Sequence, residues 1–237
     1  MKLNRRFIAL AATLASFQMI SAADIVGKIS LKGTPPPEKE LPIDEACGKL
    51  SSEKLKTRLY MTGPEGGLGE VLVYIKDGLT GKTYPVPAEP VIMDQKNCQY
   101  VPYITAVQTG QKLLVKNSDP VPHNVHPTPS KESGNKESNL FQGPKSKDLE
   151  YTFAKPEMFM RVSCNIHQWM VAYVSVMDHP YYSISARDGT FKIANVPPGT
   201  YTVEAYHRKA GKATQKVTVA NDTAKADFSL EVPAEAK

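Results

Sequence analysis

The sequence predicts an all-β protein built as one larger β-sandwich and a second, smaller one. Three observations point there. Short apolar runs bounded by Gly, Pro, Asn or Asp recur along the chain, and few segments carry a helical period. Many such runs with regularly spaced turns are the pattern of sandwiches. After His179-Pro180 the texture shifts to a compact series of alternating strands, long enough for a separate small domain.

Taken in order, the stretch from Asp24 to Gly33 alternates apolar and polar residues and reads as a strand. Pro35-Pro36-Pro37 then makes a stiff, extended connection. Residues 42–61 hold the best helix candidate, IDEACGKLSSEKLK, weakened by Gly48. PEGGLG leads into VLVYIKDG, a buried strand closed by a turn at Asp77-Gly78, and PVIMDQ, YVPYITAV and KLLVKNSD are further short strands. The polar, basic segment from Ser130 to Asp148 lacks periodicity and reads as a long loop. LEYTFA, EMFMRVSC and VAYVSVMD return to strand character.

In the second domain, expected over 181–231, SISARDGTFKI, VPPGTYTVEAYH, ATQKVTVAN and ADFSLEV are successive strands. Asp188-Gly189 and Pro197-Pro198-Gly199 supply turns. Tyr201, Val203 and Ala205 alternate with Thr202 and Glu204, as one buried face requires. The tail, 232–237, is expected to be disordered.

Residues 1–23 have the composition of an export signal. Lys2, Arg5 and Arg6 precede the uncharged run FIALAATLASFQMI, and Ser21-Ala22-Ala23 offers a small-residue cleavage site. The run is too short to span a bilayer securely, and no later segment is apolar enough to do so. The expectation is a protein exported to the periplasm or otherwise out of the cytoplasm by a Sec-type signal, without a membrane span. Removing the three basic residues of the signal from the 29 in the chain leaves 26 against 24 acidic residues. That balance, with no basic cluster interleaved with aromatics, excludes a nucleic-acid footprint.

Three cysteines in an oxidising compartment suggest one disulfide and one thiol kept for another purpose. Cys47 and Cys98 have no metal-ligand partner nearby in sequence and are expected to pair. Two buried free thiols are the alternative. Cys164 is then the odd thiol, and it lies in CNIHQWM with His167 and Met170.

PVPHNVHP places His123 just after a predicted strand, some forty residues before that loop. Two imidazoles, a thiolate and a thioether form the donor set of a blue-copper electron-transfer centre: the sulfurs favour Cu(I), and imidazole suits Cu(II). A mixed site satisfies neither state fully and changes little on electron transfer. Asn124 is expected to brace the ligand loop, through its amide or side chain near the sulfur. His126, three residues beyond His123 on a strand, is expected on the opposite face, at the surface. Met158 and Met160 read as core filling beside Phe159.

PHNVH and CNIHQWM resemble the metal motifs of cupredoxins, most closely the amicyanin type, which shares the C-x2-H-x2-M spacing. The resemblance covers roughly residues 105–178 and implies a Greek-key sandwich, expected over 24–178 with an N-terminal extension. It implies one copper on His123, Cys164, His167 and Met170, with Asn124 following the first ligand. Gln168 stands where such loops often carry proline, which bears on loop rigidity and potential. DGTFKI with VPPGTYTVEAYH resembles carboxypeptidase regulatory-like (transthyretin-like) domains, which implies a non-catalytic accessory.

The functional expectation is a type 1 copper protein passing single electrons between a donor and an acceptor protein. The alternatives are copper storage or delivery, or a non-redox adhesion or interaction module on the same fold. An enzyme using Cys164 and His167 as nucleophile and base is disfavoured, because no orienting carboxylate or amide stands out in the local sequence. Zinc is disfavoured because structural zinc rarely recruits methionine.

Overall fold

The computed structural model describes residues 21–234. The expected export signal lies outside them except for its last three residues, Ser21 to Ala23, and so do the final three residues of the tail. Among the described residues the only α-helix is one turn, and no helix is long and apolar enough to cross a membrane.

The strands form four sheets that pack as two sandwiches. In the first sandwich, β3 (Val91–Gln95), β4 (Tyr100–Val101), β6 (Leu113–Asn117) and β9 (Leu149–Tyr151) make one sheet in the order β4-β3-β6-β9. Facing it are β5 (Ile104–Gln108), β7 (His123–Thr128), β8 (Leu140–Gln142), β10 (Glu157–Ser163) and β11 (Val171–Met177), in the order β5-β11-β10-β7-β8. The chain crosses between the two sheets five times from β4 to β10, so distant strands become neighbours. β3 pairs in parallel with β6, and β11 with β5. The core between the sheets holds Met93, Val107, Val115, Val125, Val162, Val174 and Val176, all buried. Each such side chain contributes roughly 1.5–3 kcal/mol through its removal from water.

The second sandwich corrects the expected domain boundary. β1 (Ala23–Lys32) pairs with β13 (Thr190–Val196), β16 (Ala224–Lys225) and β17 (Phe228–Glu231). β2 (Leu72–Asp77) lies between β12 (Tyr182–Ile184) and β14 (Gly199–His207), with β15 (Gly211–Val219) outermost. Residues 24–104, expected as an extension of the first sandwich, therefore give two strands to the second. The apolar faces explain it: Ile25 and Ile29 of β1, and Val73 and Ile75 of β2, share one core with Phe191, Ile193, Val203 and Phe228. The turn before β13 needs its glycine. Gly189 has φ +85°, and a Cβ there would lie 2.1 Å from the Ile29 carbonyl oxygen.

The two sandwiches are packed against each other. Leu72, Tyr74 and Met177 are buried between them, with Phe159, Ile184 and Tyr206 against that cluster. Phe159 and Tyr206 meet edge to face, ring centroids 4.8 Å apart.

The helix expected within 42–61 is reduced to α1 (Glu45–Gly48), capped by Asp44, whose Oδ1 accepts from the Cys47 amide at 2.8 Å. The flanking chain doubles back instead: Leu41 N–H donates to Leu55 O at 2.9 Å and Thr57 N–H to Lys39 O at 2.8 Å. A helix running to Lys56 would forfeit those bonds. The expected 130–148 loop contains β8, which pairs with β7 through His123↔Gln142, Asn124↔Phe141 and Val125↔Leu140. Cys47 and Cys98 are joined as a disulfide across 51 residues, Cα atoms 5.7 Å apart, both buried in the first core.

Two predictions follow from this packing. Cys47→Ser removes a cross-link over 51 residues, and the unfolding free energy measured in denaturant should fall by about 4 kcal/mol on the chain-entropy model. The second concerns His207, buried in the second sandwich, whose Nδ1 accepts from the amides of Lys209 and Ala210 at 3.2 and 3.0 Å. Burial, with Arg208 beside it, pushes its pKa down to about 4. The unfolded chain then binds a proton first as pH falls. Stability from this group is complete above about pH 6.5 and is lost towards pH 4, by roughly 3 kcal/mol. His207→Asn, which keeps an acceptor for the amides, should flatten that part of the pH profile of chemical unfolding.

Candidate metal centre

His123 opens β7, and Cys164 follows the last residue of β10. The turn Cys164 to Met170 joins β10 to β11. It is closed by Met170 N–H donating to His167 O at 2.9 Å and Cys164 N–H donating to Met170 O at 3.1 Å. Since β7 and β10 are hydrogen-bonded neighbours, with Ser163 opposite His126, the loop lies beside the start of β7. The fold thus brings residues forty positions apart to one point. His123 Nδ1 and His167 Nδ1 are 2.9 Å apart, and the Cys164 sulfur is 3.8 Å from His167 Nδ1. One ligand atom from each of the three side chains falls within 4.8 Å of the others. His123, Cys164 and His167 are 0%, 2% and 5% exposed. Met170, 1% exposed, joins the same core cluster from the same loop.

Carboxylates stand behind both imidazoles. His123 Nε2 lies 2.9 Å from Asp119 Oδ2, and His167 Nε2 lies 3.4 Å from Asp44 Oδ2. Asp119 can only accept, so it selects the Nε2–H tautomer of His123 and leaves that ring's Nδ1 facing His167 Nδ1. Two nitrogen lone pairs at 2.9 Å beside a sulfur repel one another unless a proton or metal cation lies between them. The donor set therefore fits a soft or borderline cation such as copper.

The electrostatics favour the thiolate. Burial works to raise the Cys164 thiol, but His123 and the amides of Asn124, His167 and Ile166 outweigh it and hold the thiol below its ordinary range. Burial likewise works to raise Asp119. The His123 ring and the amides of Cys98 and Asn97 reverse that and keep it ionised, at 2.8 Å from Cys98 N and 2.6 Å from Asn97 N. His123 is raised: burial opposes its charge, and Asp119 and Cys164 together prevail. His167 is lowered by burial and by the neighbouring His123.

Asn124 braces the loop through its side chain. Its Oδ1 accepts from Asn165 N at 2.7 Å and Ile166 N at 3.3 Å and lies 3.4 Å from the Cys164 sulfur. His126 points away from the donors, between Asn165 Oδ1 at 2.9 Å and Glu137 Oε1 at 2.7 Å, and links the ligand loop to the 130–148 segment. Trp169 donates from Nε1 to Cys98 O at 3.2 Å and packs on His167, ring centroids 5.1 Å apart. The disulfide lies against the centre as well, with the Cys47 and Cys98 sulfurs and a His167 nitrogen within 4.8 Å.

Asp119 and Asp44 were not among the sequence candidates. Asp119 precedes His123 by four residues in SDPVPHN, a carboxylate-before-histidine spacing that is readable locally. Asp44 lies over a hundred residues from His167 and leaves no local signal.

Residues 170–226 match a family model described as Polysaccharide lyase family 4, domain II, which reaches from the end of the ligand loop through most of the second sandwich. No curated protein matches the chain. Among solved structures, a copper-containing nitrite reductase from Thermus scotoductus is 18% identical, with TM-score 0.34, over 44% of this chain and 27% of its own length. Amicyanin from Paracoccus versutus is 18% identical, with TM-score 0.33, over 44% of this chain and 96% of its own. An oxidised amicyanin mutant is 20% identical, with TM-score 0.33, over 44% and 97%. These likenesses are weak and partial, so the functional reading rests on the geometry of the site.

Asp119→Asn keeps the size of the side chain and removes its charge. Metal affinity, measured by chelator competition, should fall by roughly 10–100-fold.

Proposed function

We propose that this is an exported type 1 copper protein that passes single electrons between redox partner proteins, holding copper on His123, Cys164, His167 and Met170. The observation that supports it is the convergence of two Nδ1 atoms and one cysteine sulfur in a buried pocket, with Asp119 fixing the His123 ring from behind. Bound there, copper supplies a one-electron couple between its cuprous and cupric states.

The chain's own residues perform the rest. Asp119 holds the His123 imidazole in the binding tautomer, and Asn124 holds the loop through two backbone amides. The packed core keeps the donors in place whether or not charge has moved, which limits reorganisation. Exclusion of water strengthens each local electrostatic contact. Ile166, 48% exposed within the ligand loop, offers an apolar contact for a partner close to the buried donors.

Storage or delivery is the weaker reading, because all the donors are buried and a store must release its ion. A nucleophilic enzyme is weaker still, because Cys164 and His167 are closed off from a substrate. We read the second sandwich as a non-catalytic accessory.

The oxidised, copper-loaded protein should show an intense visible thiolate charge-transfer band and reversible one-electron reduction. Cys164→Ser should abolish the band, whereas Met170→Leu should retain it and raise the potential. A colourless loaded protein would remove the type 1 reading, and a potential indifferent to Met170→Leu would remove Met170 from the ligand set.

A further inference from the structure

Where the two sandwiches meet, the surface forms a cleft of about 320 Å³ that has no part in holding the metal donors. Cations reach it from three separate stretches of chain: Arg161 from β10, Arg208 and Lys209 from the turn after β14, and Lys56 and Arg58 from the doubled-back segment. Among the described residues, Arg58 pairs with Glu70, while Lys56, Arg161, Arg208 and Lys209 have no carboxylate within 4.0 Å. Like charges gathered in a concave wall repel one another, and one buried glutamate does not offset five cations.

Two of the three arginines, Arg58 and Arg208, stand over aromatic rings. The Arg208 guanidinium lies 3.3 Å from the centre of the Tyr173 ring and donates to the Tyr103 hydroxyl at 3.1 Å. Arg58 stands 5.2 Å from the centre of the Tyr103 ring. Stacking fixes the plane of the Arg208 fork while most of its N–H groups remain without a protein acceptor. The Nε of Arg58 is buried and has no hydrogen-bond partner. Leu41, Leu59 and Val171 line the same cleft and give it an apolar side.

We propose that this cleft binds a small organic anion. Its carboxylate, phosphate or sulfate group meets Arg161 and Arg208, and its apolar body lies against Leu41, Leu59 and Val171. The size suits such a ligand, and guanidinium forks suit planar or tetrahedral oxyanions. The proposal does not depend on the copper reading.

Calorimetric titration of the full mature chain with benzoate, phenyl phosphate and phenyl sulfate tests it, with chloride holding ionic strength constant and benzyl alcohol as the uncharged control. At least one anion should bind saturably at one site, and benzyl alcohol should not. Arg208→Gln and Arg161→Gln, each with an unchanged unfolding midpoint, should weaken that binding by at least about tenfold. Arg58 is left intact in these variants, since its loss would strand Glu70. Binding by none of the three anions, or binding unchanged in both variants, would overturn it.

Discussion

The arrangement depends on one electrostatic requirement. Two imidazole nitrogens and a cysteine sulfur are turned towards one another in a pocket almost without solvent, and the two nitrogens, 2.9 Å apart, need a proton or a metal cation between them. Removing such groups from water is costly unless they are paired. Nearly every contact around the pocket either orients these donors or prevents them from turning away.

The scaffold meets that requirement with strands rather than with a long loop. β7 and β10 are adjacent in the sheet, so the start of one and the end of the other share an edge of the sandwich. The seven-residue turn then has only to fold back on itself. Cys98 ties the neighbouring parts together: its N–H donates to Asp119, its carbonyl accepts from Trp169, and its sulfur fastens Cys47 and the segment carrying Asp44. The disulfide therefore links global stability to the position of Asp119, which orients His123, and to that of Asp44 beside His167.

Much of this was legible in the sequence, and the failures have physical causes. Alternation and turn residues placed most strands, since each rests on local chemistry. The donor residues stood out because soft ligands at C-x2-H-x2-M spacing are rare in a chain with three cysteines. The membership of β1 and β2 was not legible. Ile25 pairs with Ile193 and Val73 with Ala205, and nothing local distinguishes a strand that joins a distant sheet from one that joins a near one. The one-turn helix was overread because its composition favours helix, while backbone bonds between Lys39, Leu41, Leu55 and Thr57 win. β8 was missed because three residues carry too little periodicity, and Asp44 because its partner is remote in sequence.

Copper K-edge X-ray absorption of the loaded mature protein tests the central claim most directly. The account predicts one short copper–sulfur shell and two imidazole shells, with the short sulfur shell lost in Cys164→Ser. A first shell of nitrogen and oxygen alone, or a sulfur shell that survives Cys164→Ser, would contradict it.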